Sequence, residues 1–179
     1  MLISFSSQAQ EANKPKDDKV KKEEMKMEKE EAKMEKKDMN HSYAAGYSSS
    51  FEIGNSAYAN KIVDIWKDWD DNMLDRHDYM ADSLVMELSN GMKIKGKQAN
   101  LEGAKQHRGS MKAVKTTIHA FVPLRVKDKN EDVVCIWGEE ENTMADGKIE
   151  KKPIHEVWWF NKDGKIYYMR QWEVNMAKN

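Results

Sequence analysis

Two strand-like segments near the C-terminus hold most of the side chains that could do acid–base chemistry. Ile154-His155-Glu156-Val157-Trp158-Trp159-Phe160 and Lys165-Ile166-Tyr167-Tyr168-Met169-Arg170-Gln171-Trp172 flank Asn161-Lys162-Asp163-Gly164. Both arms are rich in aromatic and β-branched residues, and Asp-Gly supplies the positive-φ position of a tight turn, so the pattern predicts a β-hairpin. Glu156 shares a strand face with Ile154 and Trp158, apolar neighbours that would disfavour its charged form and raise its pKa. That environment makes a general acid. If Phe160 pairs with Ile166, Arg170 lies almost opposite Glu156, where it either forms a register-fixing ion pair or, with Tyr168, orients a polar group of a ligand. A one-residue shift would instead put Tyr167, Met169 and Gln171 beside Glu156. The candidate catalytic residues are therefore Glu156, Arg170 and Tyr168. Trp66, Trp69, Trp158 and Trp172 are the candidate ligand-binding aromatics, with ordinary core packing as the alternative for each.

The remaining reactive side chains argue for less. His155 and Trp159 point away from Glu156, which puts His155 on the outer face in a structural role. His77, His107 and His119 lack the spacing of metal ligands, so neither a metal nor another cofactor is expected. Asp70 could act as a base at a pocket mouth, but Asp70-Asp71-Asn72 reads more simply as a solvated helix end. Glu140 shares a face with Val134 and Ile136 and reads as an edge or rim charge. The single cysteine, Cys135, rules out an intrachain disulfide, and its neighbours Val133, Val134, Ile136 and Trp137 mark it as a buried apolar residue.

Stepping along the chain, Asn55 or Ser56 caps a helix in which Ala59, Ile62, Val63, Ile65, Trp66 and Trp69 recur at helical spacing. Leu74 to Met80 reads as a second short helix. Ser83 to Leu88 alternates as a strand, and Asn90-Gly91 turns it back through Met92 to Ile94. Lys97 or Gln98 to Met111 reads as another helix. Three long strands follow, about Lys115 to Val126, Asp132 to Thr143 and Ile149 to Phe160, before a last one from Lys165 to Val174. Helices followed by an antiparallel meander predict an α+β fold.

The 34% of charged residues crowd toward the N-terminus. Residues 11–50 form a Lys/Glu-rich tail and linker, a solvated helix or disordered tether, with a coiled-coil or partner-binding helix as the weaker alternative. Residues 51–179 make the domain. Residues 1–10 resemble the final stretch of a signal peptide, an expectation that leans toward export over a cytoplasmic location. A formal net charge of −1 gives no global attraction to nucleic acid. No run approaches the roughly 20 apolar residues of a membrane span, so membrane insertion is not expected.

Helix Trp66 and Trp69, the phrase Met80-Ala81-Asp82-Ser83 entering a strand, Gly91 and Gly96 bracketing a hairpin, and Asp163-Gly164-Lys165-Ile166 together resemble SnoaL-like domains of the nuclear transport factor 2-like superfamily, over about Asn55 to Val174. The resemblance implies a cone, a curved antiparallel sheet wrapped around N-terminal helices with a pocket between sheet and first helix. It implies a small, largely apolar ligand, isomerase-, cyclase- or dehydratase-like chemistry, and a homodimer through the sheet. A non-catalytic dimeric binding or assembly domain is the alternative. Aligned through the Asp163-Gly164 turn with the steroid isomerase branch, Glu156 falls on the pocket acid of the oxyanion hole and Trp66 on a helix tyrosine. Leu88 falls on the general-base aspartate, a departure that removes the proton-abstracting group and argues against ketosteroid isomerisation.

Overall fold

Asn55 begins the first helix by accepting the Ala57 N–H at 2.9 Å through its side-chain oxygen, which satisfies one of the orphan donors of the first turn. Helix α1 runs Ser56–Asp71 and ends where Asn72 adopts φ 56°, a left-handed conformation that asparagine tolerates. Its buried face, Ala59, Ile62, Ile65 and Trp66, follows the helical period. The computed structural model describes residues 21–22, 25–26 and 42–174. Residues 21–22 and 25–26 are helical and exposed. The signal-like residues 1–10 and most of the charged tail lie outside the described residues.

The strands are β1 (Phe51–Ile53), β2 (Met80–Glu87), β3 (Lys93–Lys95), β4 (Met111–Val126), β5 (Glu131–Met144), β6 (Ile149–Phe160) and β7 (Ile166–Glu173); helix α2, Lys97–Gly109, lies between β3 and β4. They form one open sheet in the order β1-β4-β5-β6-β7-β2-β3. The expected antiparallel pattern holds except that β2 runs parallel to β7, which makes the sheet mixed. That pairing joins segments distant in sequence, and no turn between them announces it. Register shifts within β2, β4 and β7 mark bulges, and bulges bend strands. Only three-residue strands, β1 and β3, are left as the edges, a common protection against edge-to-edge pairing.

The concave side of the bent sheet takes α1. Ile62, Trp66, Leu84, Val134, Ile136, Trp158, Phe160, Ile166 and Met169 are all within a tenth of full burial and form one apolar cluster. Three local expectations are corrected. Leu74 to Met80 is a loop that enters β2 instead of a helix. Arg76 and His77 both reach back to Asp68, at 2.9 and 2.7 Å, which ties this loop to the end of α1. Helix α2 stops at Gly109, and Met111 is already a strand residue. The segment expected to be linker contributes too: Tyr47 donates to Glu131 at 2.6 Å and accepts from the Trp159 indole at 3.1 Å.

Candidate functional site

Glu156 sits on the inner face of β6, 6% exposed. Its Oε2 accepts the indole N–H of Trp66 at 2.6 Å and of Trp158 at 3.0 Å, and its Oε1 accepts the Gln171 side-chain amide at 2.9 Å. An ionised carboxylate has about four acceptor positions, so three are taken by protein and one on Oε1 is left. Burial raises the Glu156 pKa above its ordinary value of 4.5; the three N–H donors pull the other way, and nearby Glu140 adds to the rise.

The folded chain holds the Glu156 proton more tightly than the unfolded chain. The stability contributed by this group is therefore complete below pH 4.5 and is lost as pH rises through the folded-state value. Glu156→Gln has nothing to titrate there. Denaturant midpoints of the two proteins measured across pH are expected to show wild type losing ground to the variant from about pH 4.5 upward. A difference that is flat with pH would show that burial does not perturb this carboxyl.

Glu156 lines a cavity of about 540 Å³ between the sheet and the helices. Its walls are mainly apolar: Ile65, Trp66 and Trp69 from α1, Leu101 and Ala104 from α2, and Met86, Ile154, Trp158 and Met169 from the sheet. Trp66 can approach β5 closely because Gly138 presents no side chain there; a Cβ would stand 3.0 Å from the indole and 2.2 Å from the Thr117 carbonyl oxygen. The end of α1 is tied down separately. The buried Arg108 of α2 donates to the carbonyls of Trp69 and Asp70 at 3.0 and 2.6 Å, placing positive charge on the helix C-terminus. Asp70 accepts from Thr116 through both backbone N–H and hydroxyl, at 3.1 and 2.6 Å, so it is an anchor to β4 rather than a solvated helix end or a free base.

The structure brings Glu156, Trp66, Trp69 and Trp158 around one cavity and places Tyr168, Arg170 and Trp172 on the opposite face of the sheet. Phe160 does pair with Ile166, but Trp159 pairs with Tyr168, leaving Tyr167 as a bulge. That extra residue inverts the alternation, so Gln171 stands opposite Glu156 while Arg170 stands opposite Val157. Arg170 instead binds Glu87, with Nε to Oε2 at 2.7 Å, and the Tyr168 hydroxyl. Trp172 is 45% exposed and lies beside His155, ring centroids 5.5 Å apart, with Trp137 on the other side of His155 at 5.8 Å. Cys135 is half-buried on this same outer face, and burial pushes its thiol pKa up.

Glu140 is the cavity residue that its rim assignment undervalues. It lines the same wall, and its Oε2 accepts the Trp69 indole N–H at 2.6 Å while its Oε1 accepts from Asn142. Parity offered a signal: Val134, Ile136, Gly138 and Glu140 alternate onto one face, and two of them are core residues. Each carboxylate is thus held by a tryptophan of α1 one helical turn apart. Among the described residues, no three His, Cys, Asp or Glu side chains converge as a metal site requires.

Solved structures share this architecture. An NTF2-like protein of unknown function from Exiguobacterium sp. 255-15 superposes with a TM-score of 0.52 at 16% identity, over 66% of this chain and 99% of its own. The chain has the NTF2-like fold. An LEH-like epoxide hydrolase from M. tuberculosis shares this NTF2-like architecture with a TM-score of 0.54 at 16% identity, over 66% of this chain and 84% of that one. A protein named as a SnoaL-like polyketide cyclase, from Shewanella denitrificans OS-217, gives 0.53 at 10% identity, over 67% and 92%. No protein-family model and no curated protein sequence matches the chain. At these identities the NTF2-like assignment concerns the fold, and the chemistry has to be argued from the cavity.

Proposed function

We propose that the NTF2-like domain binds a small, largely apolar organic molecule in the cavity and that Glu156 is the acid–base group for chemistry there. One observation carries this reading: a carboxyl group lies buried at the wall of a roughly 540 Å³ apolar cavity with one acceptor position unfilled. A carboxyl whose pKa is raised by burial is a stronger base than a free one and can take a proton from a bound ligand and return it. Trp66, Trp158 and Gln171 fix its orientation. Trp69 and Trp66 supply flat walls for an apolar body. The LEH-like hydrolase and the SnoaL-like cyclase set the precedent that this fold can house small-molecule chemistry.

The second reading, a non-catalytic dimeric binding or assembly domain, draws on the outer sheet face, where Trp137 and Trp172 expose 39% and 45% of their surface on either side of His155. Exposed aromatics clustered on one sheet face suit association between copies. Native mass spectrometry of the full chain from its source lysate separates the readings. An organic adduct on a dimer is expected, and Ala104→Phe, which fills the cavity from α2, is expected to release it while leaving the dimer mass intact. An adduct-free dimer would favour the assembly reading.

A further inference from the structure

Carboxyl oxygens stand open on the cavity wall, beside the donors Ser89, His107 and Lys152. Glu156 has its fourth carboxylate position unfilled. Glu140 accepts only from Trp69 and Asn142. Asn100, 2% exposed, points its amide nitrogen at two backbone carbonyls, Gly96 at 2.7 Å and Ile94 at 3.3 Å. That choice fixes which end of the amide is which, because only the NH2 end can serve two carbonyls. Its Oδ1 is fully buried without a partner and has almost no surface of its own, so it is closed to the cavity.

Charge points the same way. Three carboxyl groups, Glu140, Glu156 and Glu173, line the cavity against one ammonium, Lys152. Lys152 is drawn to Glu173 at 3.8 Å, and its neighbour Lys151 pairs with Glu139 and Glu141. Among the described residues neither Glu140 nor Glu156 forms an ion pair, although a buried carboxylate ordinarily has a cationic partner. The indole N–H groups of Trp66, Trp69 and Trp158 are all spent on these two carboxyls. What remains to face a ligand is the ring surfaces, and an indole face attracts a cation more strongly than any other side-chain ring.

We infer that the ligand of this cavity is a protonated amine on an apolar body, its N–H donors meeting Glu140 and Glu156 and its apolar part meeting the tryptophan rings. This inference rests on the reading of the cavity as a ligand site and narrows its substrate class. An anionic ligand would face three carboxyls against one ammonium, and a neutral one would leave Glu140 and Glu156 without a cation at ion-pair distance.

Calorimetric titration of the full chain with tryptamine, tryptophol and indole-3-acetate tests it, because the three share one apolar ring and differ in the charge of the head. Tryptamine is expected to bind about tenfold more tightly than tryptophol, the scale of one charge-assisted hydrogen bond, and indole-3-acetate more weakly than both. Glu140→Gln and Glu156→Gln, which keep hydrogen-bonding shape and remove charge, are each expected to narrow the gap between tryptamine and tryptophol. Equal binding of all three, or a preference for indole-3-acetate, overturns the amine while leaving the cavity as a ligand site. No heat from any of the three overturns both. A tryptamine preference that neither Gln variant reduces also overturns the inference, since the preference would then arise elsewhere.

Discussion

Gly138→Ala is expected to destabilise the domain by about 2–4 kcal/mol, the range of overpacking that rigid surroundings cannot relieve. The added methyl would stand 2.2 Å from the Thr117 carbonyl oxygen and 3.1 Å from the Ile118 Cα, both backbone atoms of the neighbouring strand. Backbone in the middle of a ladder has nowhere to go: β4 is hydrogen-bonded to β5 along nearly its whole length. The third contact, 3.0 Å to the Trp66 ring, decides the functional consequence. If the strands hold, the indole must lift, and the Trp66 hydrogen bond to Glu156 is lost with it. Chemical denaturation measures the stability, and near-ultraviolet circular dichroism reports the displaced indole. Gly103→Ala is the internal comparison. It lies inside α2 with nothing within 4 Å of its missing Cβ, so alanine there is expected to stabilise by about 0.5–1 kcal/mol. Gly138→Ala within 1 kcal/mol of wild type would show that the strands separate at little cost.

These two glycines show why part of the fold was legible and part was not. Local periodicity carried α1, the Asn90-Gly91 hairpin and the long strands, because those patterns depend on residues within one or two turns of each other. It also separated Glu156 and Trp158 from His155 and Trp159, since a strand has two faces and only one was apolar at Ile154 and Trp158. What periodicity could not carry was any relation fixed by a distant partner. Tyr167 bulges, and that single event moved Arg170 and Trp172 out of the cavity and brought Gln171 in. Leu74 to Met80 has helical composition, but Asp68 holds Arg76 and His77 instead. The parallel pairing of β2 with β7 and the three-residue β1 have no local signature. Glu140 was on the right face by parity, yet its partner Trp69 is 71 residues away, so its place in the cavity was visible only in the fold.

Glu156→Leu is expected to cost about 2–4 kcal/mol, because it strands two indole N–H donors that burial keeps from water, each worth about 1–3 kcal/mol unmet. Trp66 and Trp158 are 7% and 3% exposed, and Glu156 is the acceptor each indole uses. Removing a buried carboxylate also removes its desolvation cost, which keeps the loss below the sum of the stranded donors. Two further variants separate these terms. In Trp66→Phe with Glu156→Leu one stranded donor is gone, so the double variant should be more stable than the two single losses added together, by about 1–2 kcal/mol in a double-mutant cycle. Additive losses would mean that the indole bond contributes nothing. In Glu156→Gln the amide oxygen can accept both indoles, while Gln171 turns its own oxygen toward the new NH2 group. That variant is expected to match or exceed wild type at pH 7, above the ordinary value of 4.5, where the raised pKa puts the carboxyl at a disadvantage. The two outcomes together would separate the site's structural need, an acceptor for two tryptophans, from its choice of a carboxyl. A neutral amide would meet the first at lower cost, so a stable Gln variant that loses its preference for amines would place the reason for the charge in the ligand.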